Sequence, residues 1–510
     1  HRDLHRLIRR QRQMCIRDRV NSTEETVMRN LLRTFLIFIL LILFNHSIYP
    51  FQREEIDKLK KEVINYIEKK KDLIISMGDS IWEYAETGLK EYKSSALLIS
   101  VLERNGFTIT RNVAGMPTAF VASYGEGEPV IGILAEYDAL PGLSQKRGSY
   151  KKEPEKPGEP GHGCGHNIFG AGCTGAAIAV KRIMENHNLE GTVKLFGCPA
   201  EETLIGKVFM AKSGCFDGLD AAITWHPGSK NQVSLGSSQA MNSFTVEFYG
   251  KTAHAAADPW DGRSALDAVE MMDFGINLLR EHVRPTARIH YVITSGGKAP
   301  NVVPDYAKVW YYVRDKDRKN VDENYERIMK IVKGAAIATE TTFKVNLITG
   351  VHSALACRTI AEVLYKNLKY AGPPVFTDEE QEFAKKIQKE LGVPEKGLSK
   401  KIEEFKKPEG PSGGSTDVAE VSWITPTAQF NAVSWPLGAP GHSWAIVTSV
   451  GSSIGHKGAI TASKVIALSV LDLLLDKSII MKAQKEWREK TKGMKYKSPV
   501  PADKKPPVEN

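Results

Sequence analysis

A short glycine-rich segment brings a thiol close to an imidazole. Cys164 and His166 stand two residues apart in Gly161-His162-Gly163-Cys164-Gly165-His166-Asn167. A thiolate and an imidazole are both ligands for divalent metals, and the glycines permit the tight backbone path that lets both side chains reach one ion. A Cys-Gly-His triplet alone is more often part of a core, because free cysteine packs as a small apolar residue. A metal interpretation therefore needs further ligands.

Further candidate ligands lie at three other places in the sequence. Glu201 and Glu202 are adjacent, and His226 and His442 each stand beside glycine and proline. Adjacent carboxylates repel, and at a metal site one can coordinate while the other stays free as a base. Each of these features alone is typical of an exposed turn or a hydrogen-bonded histidine. Thiolate, imidazole and carboxylate at convergent strand ends together predict a metal site.

The elements that must position these groups alternate between strands and helices. Strands are predicted over the continuous apolar run 130–134 and over 192–196, 221–224 and 428–433. Helices are predicted between them, notably over 168–186 and 456–476. This alternation predicts an α/β fold with a mostly parallel sheet, in which polar residues just past the strands meet at the carboxyl edge.

The pattern changes within 239–350, where alternating strands and amphipathic helices indicate a small α+β insert with an antiparallel sheet. We therefore predict a catalytic domain built from 51–238 and 351–510, with 239–350 as an inserted lid and dimerisation domain and a basic C-terminal tail. Residues 374–409 are expected to form a helical excursion of unknown role.

Length, composition and charge bound the function. The chain has 510 residues, is 42% apolar and 25% charged, and so is neither collagen-like, disordered nor a disulfide scaffold. Residues 1–19 hold seven Arg and two Asp, a net of +5, which leaves +4 of the formal +9 for the rest. Since the basicity is largely terminal and lacks interleaved aromatics, we predict no nucleic-acid binding.

The N-terminal residues are set apart from the fold. Residues 1–27 are interpreted as a non-native leader, and 28–50 as a signal peptide or, alternatively, an uncleaved anchor, because basic residues precede an apolar run of ten, 35–44. A signal peptide would make the protein exported, periplasmic or extracellular. Otherwise the protein is expected in the cytoplasm, and a membrane enters only through such an anchor.

Seven motifs, in this order along the chain, resemble those of the aminoacylase/carboxypeptidase-like metallopeptidases, peptidase family M20. Within that family, the likeness is greatest to the amidohydrolase branch of aminobenzoyl-glutamate utilisation protein B. It runs from about residue 54 to residue 501. The chain departs from auxin-amidohydrolase relatives in carrying Glu136 where they have Asp, and Ser415-Thr416-Asp417 where they have an acidic pair. The motifs are Glu136–Gly142, Gly161–Asn167, Pro199–Glu202, Trp225–Pro227, Thr252–Ala256, Ala299–Pro304 and Gly414–Asp417.

The resemblance implies a metal-dependent amidohydrolase with two divalent ions per subunit, manganese or zinc, and Glu201 as general base. It also implies that His254 of the lid completes the partner's site across a dimer, and that Asn301 contacts substrate. The partner is expected to be a second copy or a homologous subunit. The implied metal ligands are Cys164, His166, Glu202, His226 and His442.

Carboxylate recognition is predicted at Arg314 and at the loop Gly414, Ser415 and Thr416, through a guanidinium fork and backbone N–H groups. For Arg314 a salt bridge at a strand end is an equal alternative. The expected substrates are small molecules, N-acyl or N-aroyl amino acids or small dipeptides similar to aminobenzoyl-glutamate. The alternatives are an exported metal-dependent dipeptidase and a non-catalytic peptide-binding or regulatory subunit.

Overall fold

The computed structural model describes Arg6 and residues 8–14, 54–406 and 413–508. The chain divides into two compact units, His1–Glu62 and Val63–Asn510. Residues 8–14 are helical and exposed. The predicted signal peptide or anchor at 28–50 lies outside the described residues.

Strands and helices alternate through most of the described chain. The strands are β1 (Thr108–Arg111), β2 (Phe120–Glu126), β3 (Val130–Glu136), β4 (Gly191–Cys198), β5 (Ala221–Gly228), β6 (Gln232–Ser234), β7 (Ala240–Tyr249), β8 (Arg288–Ser295), β9 (Tyr306–Asp315), β10 (Thr342–Val351) and β11 (Thr427–Val433). The helices are α1 (54–69), α2 (Lys71–Tyr84), α3 (Tyr92–Arg104), α4 (His166–His187), α5 (Gly206–Lys212), α6 (Ala265–Leu279), α7 (Arg318–Ala338), α8 (Arg358–Ala371), α9 (Asp378–Glu390), α10 (Val418–Ser422), α11 (Trp444–Val450), α12 (Ser453–Leu475) and α13 (Lys477–Thr491).

A seven-stranded sheet carries the predicted metal ligands. Its strand order is β1-β2-β4-β3-β5-β11-β6, and β4, β3, β5 and β11 run parallel while the other strands pair antiparallel at the edges. The parallel strands are almost wholly buried, as expected of strands covered on both faces. The predicted mostly parallel α/β sheet is confirmed, and its carboxyl edge gathers the residues that follow β3, β4, β5 and β11.

Helix α4 packs against α2 and against α12 beside this sheet. The glycines of α4 permit close packing: a Cβ on Gly175 would lie 2.6 Å from Ile74 of α2. Among the described helices, α12 is the one long and apolar enough to cross a membrane by length and composition. Most of α12 is buried inside the protein, where it packs against α4, and this burial is typical of a core helix.

The second sheet has four antiparallel strands in the order β10-β7-β9-β8, with α6 and α7 packed on it around an apolar core. Its strands fall inside the segment 239–350 that was expected to form the insert, within one residue at its C-terminal end. Helix α7 begins at Arg318, because the Asp317 side chain accepts the N–H of Asn320 and so caps the helix there. Within 374–409, the structure describes one helix, α9, begun by a capping box at Thr377.

Candidate active site

Cys164 and His166 lie in the turn that starts α4, and the path of this turn requires glycine. Gly165 has a left-handed φ of 78°, and a Cβ on Gly161 would lie 2.2 Å from the Leu143 carbonyl oxygen. The buried His162 faces away from the ligands, since its Nε2 donates to the carbonyl of Ile81 at 2.9 Å. The motif therefore contributes one thiol and one imidazole to the site.

Asp138 orients the His166 ring. The His166 Nδ1 lies 2.7 Å from Asp138 Oδ1, and an ionised carboxylate only accepts, so Nδ1 carries the hydrogen. In the neutral ring the lone pair is then on Nε2, which is buried and has no hydrogen-bond partner. The other Asp138 oxygen accepts the backbone N–H of Glu202 at 2.9 Å. One carboxylate thus positions two predicted ligands, as is common around metal-binding histidines.

Glu201 and Glu202 sit on a strained turn after β4. Ala200 has a left-handed φ of 53°, and its N–H donates to the buried Glu91 carboxylate at 2.8 Å, which stabilises the turn. Burial raises the pKa of Glu202 to about 7. Burial and then the Glu136 charge raise the pKa of Glu201 well above its usual range. A bound cation next to these two buried carboxylates would therefore be strongly favoured.

His226 meets Cys164 from the end of β5. Its Nδ1 donates to the Pro227 carbonyl at 2.7 Å, so its Nε2 directs a lone pair to the Cys164 sulfur, 3.3 Å away. Burial lowers the pKa of His226 to about 4 and raises that of Cys164 to about 12. The imidazole is therefore neutral at pH 7, ready to bind a metal, while the thiol must lose a proton to do so.

His442 completes the set from the loop after β11. It is more than half exposed, has a left-handed φ of 54°, and places its Nε2 3.5 Å from Glu202. The five predicted ligands thus form two groups, Cys164 with His166 and His226, and Cys164 with Glu202 and His442, each with its donor atoms within 4.8 Å of one another.

These two groups would suit a pair of metal ions, and Cys164 belongs to both groups. Donor atoms on opposite sides of one ion lie about 4 to 4.6 Å apart, close to the observed span. His166 Nε2 and Glu202 Oε1 are buried without a hydrogen-bond partner, which a coordinated cation would provide. The soft thiolate, imidazoles and carboxylate suit transition metals.

A buried charge cluster beside the ligands was not predicted. Lys207 of α5 is fully buried, with its Nζ 2.7 Å from Glu136 and 2.6 Å from Asp417. Glu136 also forms a third donor group with His166 and Glu201, within 4.8 Å. Glu136 and Asp138 end β3 just as the predicted ligands end their strands, so their position offered a signal, whereas nothing near Lys207 marks it as buried.

Arg314 lies at the end of β9 with its guanidinium 5.4 Å from the centre of the Tyr312 ring. Its Nε is buried and without a hydrogen-bond partner. In the described part of the chain no carboxylate pairs with it, and burial lowers its pKa from the usual value. The salt-bridge alternative is therefore not what the structure shows.

The loop before α10 offers one free hydroxyl. The Gly414 carbonyl accepts the N–H of Gln239 at 2.8 Å, and Thr416 Oγ1 accepts the N–H of Val418 at 3.2 Å. Ser415 Oγ is buried without a hydrogen-bond partner. Of the three predicted loop residues, Ser415 thus has the side chain available to a ligand.

The two lid residues are exposed. His254 Nδ1 accepts the N–H groups of Ala256 and Ala257 at 3.2 and 3.1 Å, so its Nε2 carries the hydrogen and is a donor. The carbonyl of Asn301 accepts the N–H of Ala255 at 3.0 Å, which holds the two lid segments together. His254 belongs to none of the three donor groups of its own chain.

Known proteins share this architecture. Residues 237–340 match a peptidase dimerisation domain. The chain is 40% identical over 470 residues to one of the subunits of p-aminobenzoyl-glutamate hydrolase from Escherichia coli strain K12, covering 86% of this chain and 97% of that protein. It is 27% identical over 451 residues to Xaa-Arg dipeptidase of Mus musculus, covering 85% and 93%.

Solved structures show the same fold. An aminobenzoyl-glutamate utilization protein from Klebsiella pneumoniae superposes with a TM-score of 0.56 and 16% identity, over 79% of this chain and 97% of that one. A dinuclear metal-binding peptidase of the M20 family from Bacillus subtilis superposes with a TM-score of 0.53 and 18% identity, over 79% and 99%. The extent of the sequence identity and the match to the dimerisation domain confirm the resemblance in the motifs: the chain belongs to the M20 peptidase family and is a hydrolase.

Proposed function

We propose that the protein hydrolyses the amide bond of N-acyl or N-aroyl amino acids, or of small dipeptides, with aminobenzoyl-glutamate as the leading substrate type. The observation that carries this proposal is the pair of donor groups sharing Cys164 beside Glu201. The names of several relatives support the substrate class: p-aminobenzoyl-glutamate hydrolase, hippurate hydrolase and N-acetyl-L-cysteine deacetylase.

Two divalent ions, manganese or zinc, would be held by the two donor groups, one by Cys164, His166 and His226 and the other by Cys164, Glu202 and His442. When bound, such ions acidify a water and polarise the carbonyl of the amide. The protein contributes the arrangement: Asp138 holds His166 in one tautomer and the Glu202 backbone in place.

Glu201 has the position and the basicity of a general base. Its carboxylate lies 4.0 Å from His166 Nε2, next to the ligands but outside both ligand groups. Because burial and the neighbouring Glu136 raise its pKa, it accepts a proton from water readily and then returns it to the departing amine nitrogen. One carboxylate thus serves both proton transfers.

The amine half of such a substrate carries a carboxylate, and we assign its recognition to Arg314, Ser415 and Asn301, with the backbone of the 413–416 loop. The unpartnered Arg314 Nε and Ser415 Oγ support this assignment, because a buried donor without a partner is costly unless a ligand satisfies it. A guanidinium is also the side chain best suited to a planar carboxylate.

The lid is proposed to pair with the lid of a second copy or of a homologous subunit. The edge strand β8 exposes Tyr291, Val292 and Ile293, and α6 exposes Phe274 and Leu278 on one face. Unpaired strand edges and exposed apolar side chains favour association. The dimerisation-domain match, and the fact that the Escherichia coli relative is named as a subunit, support an assembly of more than one chain.

In this assembly His254 of one subunit would complete the site of the other. Its Nε2–H is exposed and held in the donor tautomer, as required to stabilise an oxyanion. Its absence from the donor groups of its own chain supports a role in the partner's site.

The test is hydrolysis of a panel of N-acyl and N-aroyl amino acids and dipeptides by metal-free protein, with and without added manganese or zinc. Metal-dependent release of the free amino acid is expected, with aminobenzoyl-glutamate among the better substrates. Binding of these compounds without any hydrolysis would instead favour the alternative of a peptide-binding or regulatory subunit. Export through residues 28–50 stays a separate prediction.

A further inference from the structure

Glu136 has one carboxylate oxygen in use and one free. It is the last residue of β3 and is almost completely buried. Its Oε1 pairs with Lys207 Nζ at 2.7 Å, while its Oε2 lies 3.3 Å from His166 Nε2. Both Oε2 and Nε2 are buried and without a hydrogen-bond partner, so two unsatisfied atoms face each other beside the proposed metal centre.

No hydrogen bond joins these two atoms. In the neutral imidazole that binds a metal, His166 donates through Nδ1 to Asp138 and its Nε2 carries a lone pair, and an ionised Glu136 also has only lone pairs to offer. Two lone pairs at 3.3 Å repel unless a cation or a proton lies between or beside them. A cation coordinated by His166 satisfies both atoms at once.

The charges around Glu136 point the same way. Lys207 Nζ contacts both Glu136 and Asp417, and the Lys207 N–H also donates to Asp417 at 2.8 Å. One ammonium group therefore faces two carboxylates in a fully buried place, which leaves an excess negative charge. A buried charge of this kind is costly unless it is paired with a cation.

We propose that Glu136 is a further metal ligand, contributing Oε2 to the ion that His166 holds, while Lys207 fixes its orientation. Two donors each about 2.1 Å from one ion lie at most about 4.2 Å apart, and the observed 3.3 Å satisfies that limit. This inference rests on the proposed dinuclear centre. It adds a carboxylate oxygen to a site otherwise made of thiolate and imidazoles, which favours manganese over a four-coordinate zinc.

The test measures metal binding rather than activity. Metal-free wild type, Glu136→Gln and Asp417→Asn proteins are titrated with Mn²⁺, with free Mn²⁺ followed by electron paramagnetic resonance, and then with Co²⁺, followed by visible absorption. Asp417→Asn is the matched control, because it also removes one carboxylate from Lys207 but none from the donor groups.

We expect Glu136→Gln to weaken one of the two Mn²⁺ sites by about 10- to 100-fold, the scale seen around metal centres, and to change the Co²⁺ absorption. Asp417→Asn is expected to weaken Mn²⁺ binding far less than Glu136→Gln does, because Asp417 contacts Lys207 and belongs to none of the donor groups. Equal affinities and spectra in Glu136→Gln and wild type would overturn the inference. An equal loss in both variants would also overturn it, since the effect would then come from unpairing Lys207.

A variant that keeps the charge guards against misfolding. Glu136→Asp preserves the partner of Lys207 but shortens the side chain by one carbon–carbon bond, about 1.5 Å. If Glu136→Gln fails to melt cooperatively, Glu136→Asp decides, with the same loss at one Mn²⁺ site expected and an unchanged site contradicting the inference. If wild type binds two Mn²⁺ ions and the Glu136 variants bind them with the same affinities, this inference alone is refuted. If wild type binds no Mn²⁺, the proposed metal centre is refuted.

Discussion

The carboxyl edge of the large sheet and the surface of the lid carry functional side chains in opposite ways. At the sheet edge, Cys164, His166 and Glu202 are held within a few ångströms of other donors, by buried turns and by the Asp138 carboxylate. On the lid, His254 and Asn301 are exposed. The first region assembles its chemistry within one chain. The second presents its groups at the surface, where we propose that a partner subunit or a substrate contacts them.

The surface of the lid is consistent with contact with another subunit. Its core is closed by α6 and α7 on one side of the sheet, yet α6 still exposes Met271, Phe274 and Leu278. These residues lie three and four apart, so they share one helix face. A subunit interface is the simplest physical use of that face, and the predictions below separate the two regions by experiment.

The largest effect is expected at the shared thiolate. Cys164→Ala removes a ligand from both donor groups, so we expect metal content to fall toward zero and hydrolysis to be lost with it. Cys173→Ala is the control, because Cys173 is a core thiol that donates to the Leu134 carbonyl. Elemental analysis checks this, and full occupancy in Cys164→Ala would contradict the ligand assignment.

On the lid, His254→Ala is expected to bind metal and to assemble normally yet lose roughly a hundredfold in turnover, the scale of one oxyanion donor. His282→Ala, an exposed lid histidine, serves as the control. Co-expressed Glu201→Gln and His254→Ala chains should recover activity, up to about half of wild type per mixed dimer, because one site then has a sound base and a sound histidine. Mixed dimers without recovery would show that His254 acts in its own chain.

A smaller effect is expected from a charge on the lid helix. Phe274→Glu places a carboxylate on the exposed apolar face of α6 and should shift the assembly toward monomer, leaving metal content unchanged. Ile337→Glu makes the same change at an exposed position of α7. Sedimentation velocity across a dilution series checks the association, and equal effects of both variants would argue against α6 as the contact.

The smallest expected effect is the number of protons released when metal binds. The pKa of Cys164 is raised to about 12 and that of Glu202 to about 7, both by burial, so at pH 7 both are wholly or partly protonated without metal. Metal binding then releases protons, and affinity rises with pH. Calorimetry in buffers of different ionisation enthalpy should show about one proton or more released when wild type binds metal at pH 7. Metal binding without proton release would mean that the thiol is not a ligand.

The sheet edge was far easier to predict from sequence than the charges behind it. Glu202, His226 and His442 lie at or a few residues after the ends of three parallel strands, so local pattern and known sheet geometry were enough to expect these side chains at one edge. Lys207 gave no such signal. Its burial depends on Glu136 and Asp417, which are distant in sequence and meet it only in the fold.

The roles of the lid residues were harder to predict than their positions. His254 lies in a motif and Arg314 at a strand end, but no pattern in a single sequence shows which active site each residue serves. For Arg314, the structure does not support the alternative of a salt bridge. For His254, it fixes the tautomer of the ring.

Metal-assisted amide hydrolysis with Glu201 as the base is tested most directly by Glu201→Gln, measured for metal content and for turnover of aminobenzoyl-glutamate in the same preparation. Because Glu201 lies outside both ligand groups, full metal content is expected, with turnover below roughly a hundredth of wild type, the usual scale for losing a general base. Turnover close to wild type at full metal content would contradict the assignment of Glu201. Equal turnover of metal-free and metal-loaded wild type would contradict metal assistance itself.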